Sequence, residues 1–297
     1  MRLVVYTVVV GDYDRICRPA RVEPGVAYVA FTDSAPSLLP APWQHRPLRH
    51  HDRNQRMTSR WHKLHPHVLF PDHDVSLYID GNVVVKTTVS ALVRRSIADS
   101  PIALFRHPDR CCAYAEAEVV RSYRLDDPEI VEAQTNRYRL LGLPAGLGLF
   151  AGGIQIRRHG DARLIGFLED WWRQLKVFSQ RDQLSLSFML HRHRIKAAMI
   201  PAALNDNPWF AVGPHRCYRR QLEKGNDLTA YDDIDWLRRS MIVSAASDTA
   251  THSPAAFMQS LGWNVMEVLR HAKRHYARLT WRQSRFDLAA ENDAHSP

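Results

Sequence analysis

Val75-Ser-Leu-Tyr-Ile-Asp-Gly-Asn-Val-Val-Val85 joins a buried strand to a second apolar run through a tight polar turn. Ser76-Leu-Tyr-Ile79 and Val83-Val-Val85 are β-prone and almost continuously apolar, the pattern of strands covered on both faces. Between them, Asp80-Gly81-Asn82 has no place in an apolar core without partners. Gly81 permits a positive φ or a close backbone approach. Asp80 and Asn82 stand two apart, so two oxygen-bearing side chains can converge at a strand's end. That edge is where open α/β sheets bind ligands. A carboxylate and an amide oxygen are hard donors suited to magnesium or manganese held together with substrate phosphates. Taken alone, the three residues read slightly better as a plain hairpin turn; the flanking chain reverses that order.

The 297 residues are enough for one large α/β domain, or a domain with an extension. Apolar residues make up 45% and charged residues 24%, as in soluble globular proteins. No apolar run reaches the ~18 residues of a membrane span. The apolar N-terminus, residues 3–10, leads into Gly11-Asp-Tyr-Asp14 without a small-residue cleavage site, so it reads as a first strand rather than a signal peptide. The expected location is cytoplasmic. Cys17, Cys111, Cys112 and Cys217 form no CxxC motif and argue against a zinc site or a disulfide framework. The net charge of +9 favours anionic ligands: nucleotide phosphates, acidic glycans, anionic lipid or nucleic acid.

Strands are expected at 3–10, 27–31, 101–105, 154–156 and 198–200, alternating with helices. This pattern predicts an α/β fold, a mostly parallel sheet with helices on both faces. The proline-bearing segment 34–47 reads as a loop. A helix over 53–70 carries Met57, Trp61, Leu64 and Val68 as an apolar stripe, and Pro66 kinks or ends it. Arg56, Arg60, Lys63 and His67 repeat that spacing one residue earlier, so the basic stripe is rotated by about 100° from the core-facing one. It lies at the rim of the sheet and reads as anion-facing. Helices are also expected at 113–124, 127–141, 161–178 and 184–193. The glycine-rich run 142–153 contains no GxGxxG after a strand, and no P-loop is present, so dinucleotide and Walker readings fail. Residues 1–220 form the expected catalytic domain and 221–297 a helical basic extension, with a small, polar linker at 244–256. Its helix over 257–281 bears an apolar stripe and a basic face, suited to docking on its own domain or to peripheral binding at an anionic membrane, the inner face in this case.

The ordered motifs Tyr6-Thr7, Asp12-Tyr-Asp14, Phe31-Thr-Asp33, Arg60-x-x-Lys63, Tyr78-Ile-Asp-Gly-Asn82, Gly152-Gly153, Trp171 and Arg181-Asp-Gln-Leu-Ser185 resemble the DUF616-type glycosyltransferase-like family over residues 3–220. That family includes the plant TOD1/MUCI-type proteins, and the chain is more distantly similar to GT8-like transferases. The resemblance implies a GT-A-like (Rossmann-like) fold, a nucleoside-diphosphate sugar as donor, a glycan or lipid-linked acceptor, and a manganese or magnesium ion. It implies that Asp80 and Asn82 hold the metal, joined by His215, and that Tyr6, Thr7, Asp12 and Asp33 approach the nucleoside. Arg60 and Lys63 then face the donor phosphates, and Gly152 and Gly153 leave room for the sugar or acceptor. Arg181, Asp182 and Gln183 lie beside the transferred sugar. Asn82 departs from the Asp-x-Asp motif and lowers the negative charge of the site. Asp182, Glu116 or Glu118 could serve as a general base, and the stereochemical course stays open. The competing reading is a non-catalytic binder of acidic polymer or nucleic acid. It lacks any RNP, KH, zinc-finger or helix-turn-helix signature, and no nucleic-acid partner is expected.

Overall fold

The computed structural model describes residues 1–11, 13–213 and 215. Asp12, the expected extension over 221–297, its linker at 244–256 and its basic helix lie outside the described residues.

In chain order the described elements are β1 (Leu3–Val9), β2 (Ala27–Thr32), β3 (Gln44–Arg46), α1 (Gln55–Leu64), α2 (Pro66–Leu69), β4 (Val75–Ile79), β5 (Val83–Val85), α3 (Ser90–Ser96), β6 (Ile102–Arg106), α4 (Ala113–Ser122), α5 (Pro128–Leu140), β7 (Phe150–Arg158), α6 (Ala162–Val177), α7 (Asp182–Arg192), β8 (Ala198–Met199) and β9 (Phe210–Val212). Seven strands form one sheet in the order β3-β2-β1-β4-β7-β6-β8. β1, β2, β3 and β4 are mutually parallel. β7 runs antiparallel to both β4 and β6, and β8 is parallel to β6. The sheet is therefore mostly parallel with one reversed strand, an α/β Rossmann-like architecture. The order of strands turns back at β1, between β2 and β4, which places a crevice at the C-terminal ends of β1 and β4.

Side chains alternate across the strands. Tyr6 and Tyr78 are register partners and share the face covered by α1, α2 and Phe70. Farther along that face, Ile102 and Leu104 of β6 pack with Met57, Leu64, Phe167, Trp171 and Leu186 from α1, α6 and α7. The opposite face carries Val5, Leu77, Ile79, Ala103 and Phe105, also buried, with Phe105 edge-on to Phe210 of β9 at 6.1 Å between ring centroids. Both faces of the central strands are dry, which explains their unbroken apolar runs.

Asn54 caps α1 by accepting from the Met57 N–H at 2.9 Å. The expected single helix over 53–70 is two helices, broken at His65. Pro66 has no N–H to give the His62 carbonyl one turn back. β5 does not form a hairpin with β4; it pairs antiparallel with β9. Asp80-Gly81-Asn82 thus carries the chain out of the main sheet rather than reversing it. β3 lies in a segment expected to be a loop. Among the described residues, no helix is long and apolar enough to cross a membrane.

Candidate active site

α1 brings Arg60 and Lys63, three residues apart, to the C-terminal edge of β4. Asp80 follows β4 directly, and its N–H donates to the Gly153 carbonyl at 2.8 Å, prolonging the ladder to β7. Asp182 opens α7, where the N-terminal end of the helix dipole favours a carboxylate. These four side chains meet. The Lys63 Nζ lies 2.6 Å from Asp182 Oδ2 and 3.5 Å from Asp80 Oδ1, and Arg60 reaches Asp182 Oδ1 at 3.1 Å. Lys63 is only 1% exposed, so it lies inside the rim where the basic stripe had placed it. It also stands over the Tyr78 ring, 4.9 Å from the centroid.

Burial alone would raise the pKa of Asp182, but Arg60 and Lys63 outweigh it and hold the carboxyl far below the usual range. Asp182 therefore stays ionised and is a feeble proton acceptor. Burial, then the Asp80 charge, pushes the Tyr78 phenol well above its ordinary value. It stays protonated and donates to Asp80 Oδ1 at 2.6 Å.

Gly152 and Gly153, which the resemblance led one to expect beside the sugar or acceptor, admit the close approach of the two carboxylates. A Cβ on Gly152 would come 3.3 Å from Asp182 Oδ2, and one on Gly153 would come 2.8 Å from Asp80 Oδ2. Gly153→Ala is expected to displace Asp80, cost about 1–3 kcal/mol by overpacking, and weaken ligand binding in the crevice. Urea unfolding and a ligand titration on the same preparation check both effects.

Tyr6 and Thr7, expected to approach a nucleoside, lie mid-strand and are buried. The Tyr6 hydroxyl donates to the Lys63 carbonyl at 2.9 Å and accepts from Arg157 at 2.6 Å, and burial pushes its pKa up to about 12. Asp33 is exposed at the end of β2, where both its oxygens lie 3.0 Å from the Gly11 N–H. Arg181 points to Glu116 at 3.7 Å, and Gln183 is half-buried in the first turn of α7. Glu116 is fully buried, with Arg110 Nε at 2.5 Å, and Glu118 is exposed beside Arg121, so neither faces the Asp80–Asp182 cluster as a base would. His67, the last member of the basic stripe, pairs with Glu169 at 3.1 Å on α2.

The expected metal donors were Asp80, Asn82 and His215. Asp80 Oδ1 already accepts from Tyr78 and faces Lys63. The Asn82 amide donates to the Gly213 carbonyl at 2.5 Å, and His215 Nδ1 lies 2.7 Å from Asp14 Oδ2. Among the described residues, no group of three or more His, Cys, Asp or Glu is placed to hold a metal ion. The single charged donor of the set is already matched by a lysine, and the set does not fit a divalent cation.

Three contributors had no role assigned from the sequence, although Tyr78 and Asp14 stand within its motifs. Tyr78 fixes Asp80, and Asp14 pairs with His215 beside Gly81. Arg157 on β7 is 0% exposed and donates to the Lys63 carbonyl at 2.5 Å as well as to Tyr6. The one available signal for Arg157 was its place in a strand where it and Gln155 alternate with Ile154 and Ile156 ahead of the terminal Arg158.

The fold and site are thus those of a Rossmann-like α/β domain with a charged cluster at the carboxyl end of β4. The chain belongs to the TOD1/MUCI70 glycosyltransferase-like domain family, whose model matches residues 47–207. That span contains Arg60, Lys63, Asp80, Gly152, Gly153 and Asp182, but not Tyr6, Asp33 or His215. No curated protein matches the chain.

Proposed function

We propose that the crevice binds a nucleoside-diphosphate sugar and that the protein transfers the sugar to a hydroxyl of a glycan or lipid-linked acceptor. The observation that carries this reading is the cluster Arg60–Lys63–Asp80–Asp182 at the end of β4, within a glycosyltransferase-like domain. In such a transfer the bond from sugar C1 to the diphosphate oxygen breaks, and its electron pair leaves with the diphosphate. The acceptor oxygen bonds to C1 and its proton is released to solvent. Charge developing on the diphosphate needs fixed cations aimed at it. Arg60 is 21% exposed and offers the donors that its Asp182 contact leaves over. Asp80 and Asp182 are acceptors suited to sugar hydroxyls.

Thermal unfolding with a panel of nucleoside diphosphates tests the reading. One nucleotide is expected to stabilise the protein by about 2.7 kcal/mol at a hundredfold excess over its dissociation constant. Arg60→Ala is expected to weaken that binding at least ~10-fold, the loss of about 1.4 kcal/mol. A folded protein that none of the nucleotides stabilises would sink the proposal.

A further inference from the structure

The cluster carries more positive charge than the resemblance to metal-assisted transferases leads one to expect. Lys63 Nζ bridges the two carboxylates, at 2.6 Å from Asp182 and 3.5 Å from Asp80. Arg60 holds the other oxygen of Asp182. Behind them, the Arg157 guanidinium lies 5.7 Å from the Tyr6 ring centroid and 5.8 Å from that of Tyr78. No Asp or Glu among the described residues pairs with Arg157. Lys63 and Arg60 thus already match the two carboxylates Asp80 and Asp182, and Arg157 stands behind them on the Lys63 carbonyl and the two rings. His62, behind Lys63 on the same helix, adds no positive charge. Its Nδ1 donates to the Thr58 carbonyl, its Nε2 accepts from the Arg49 N–H, and burial lowers its pKa to about 4.

A divalent cation beside Asp80 would meet the Lys63 ammonium, which is buried and already 3.5 Å from Asp80 Oδ1. It would also compete with Lys63 for the same carboxylate oxygen. A lysine ammonium is a compact point charge with three donors, the closest a side chain comes to a bound cation.

We propose that Lys63 is the built-in cation of this site, joining Asp80 to Asp182, so that donor binding and transfer need no divalent metal. Arg60, at the mouth of the cluster, presents to the diphosphate the N–H donors that its Asp182 contact leaves over. The inference rests on the reading of the crevice as a nucleoside-diphosphate-sugar site.

The test is a titration of the full chain with uridine, guanosine, adenosine and cytidine diphosphates, followed by thermal unfolding, in EDTA and again in manganese. The expected result is one nucleotide whose dissociation constant agrees between the two buffers within about twofold, with manganese alone giving no shift. In Lys63→Ala the nucleotide shift is expected to vanish and a manganese shift to appear, because Asp80 and Asp182 lose their shared cation. If that variant does not fold, the wild-type comparison still decides. A nucleotide bound about tenfold or more tightly in manganese than in EDTA would overturn the inference and leave the donor reading standing. Its loss in His215→Ala would return the metal to Asp80, Asn82 and His215. A folded protein that binds no nucleotide in either buffer would remove the donor reading, and this inference with it.

Discussion

Asp182→Asn is expected to cost about 3–5 kcal/mol of stability, the usual effect of breaking a buried ion pair from one side. For a unit of this size that lowers the unfolding midpoint by about 6–20 °C. The substitution keeps the shape of the side chain and removes its charge. Lys63 and Arg60 would then share Asp80 alone, and Asp80 reaches Lys63 only at 3.5 Å. Lys63 cannot turn to water, since it is buried against Tyr78. Calorimetry of the two proteins at neutral pH measures the difference. A change below about 1 kcal/mol would mean that the pairs behave as solvated ones do, and the cluster would lose its claim to be a built site.

The same residue sets a pH dependence. Asp182 has a depressed pKa in the folded protein, so its contribution is fully present above the ordinary carboxylate pKa and is lost as pH falls through the folded value. Wild type is expected to lose stability steeply at acid pH, with the Asn variant following a flatter course. Near neutrality the two curves should run parallel, because Asp182 does not titrate there.

The sequence disclosed the fold through period and punctuation. The apolar runs at 3–10 and 75–79 are strands dry on both faces, and the four-three spacing of Met57, Trp61 and Leu64 in α1 faces the core, whereas Val68, the fourth member of the expected stripe, lies on α2 beyond the break and is exposed. Short edge strands were hidden, because β3 and β9 have three residues each and sit among prolines, asparagines and loops. The reversal of β7 was equally hidden, since direction in a sheet depends on where two helices carry the chain, not on the strand's own residues. At the site, residue types were legible and partnerships were not. A helical stripe gives the direction of Lys63 but not its depth, which is set by an aspartate on another helix. Gly152-Gly153 announced a close approach without naming what approaches, and the answer was Asp182 and Asp80. Tyr6 stood in an apolar run, where the pattern explains a buried ring and says nothing of the hydroxyl's partners.

Arg157 is where that blindness was greatest, and its removal is the second large effect expected. Pro66 leaves the end of α1 with carbonyls that lack helical partners. The Tyr6 hydroxyl, near the His62 carbonyl at 3.3 Å, and the Arg157 guanidinium serve them in its place. Arg157→Ala would strip a donor from the Lys63 carbonyl and from Tyr6, each a buried group whose lost partner costs about 1–3 kcal/mol. It would also open a cavity between the Tyr6 and Tyr78 rings. Against this stands the relief of a buried charge with no carboxylate beside it, which offsets part of the loss. The bonds and packing should win, because the guanidinium is held by two oxygens and two ring faces. A net loss of about 3–5 kcal/mol is expected. Arg157→Lys separates charge from shape. It keeps the positive charge but lacks the planar fork that spans the Lys63 carbonyl and the Tyr6 hydroxyl together. It should recover less than half of the stability, while nucleotide affinity, which responds to the charge, recovers more. Equal recovery of both would mean that Arg157 acts by position alone. A neutral Arg157→Ala would mean that its desolvation cancels its bonds, and the end of α1 would then need another anchor.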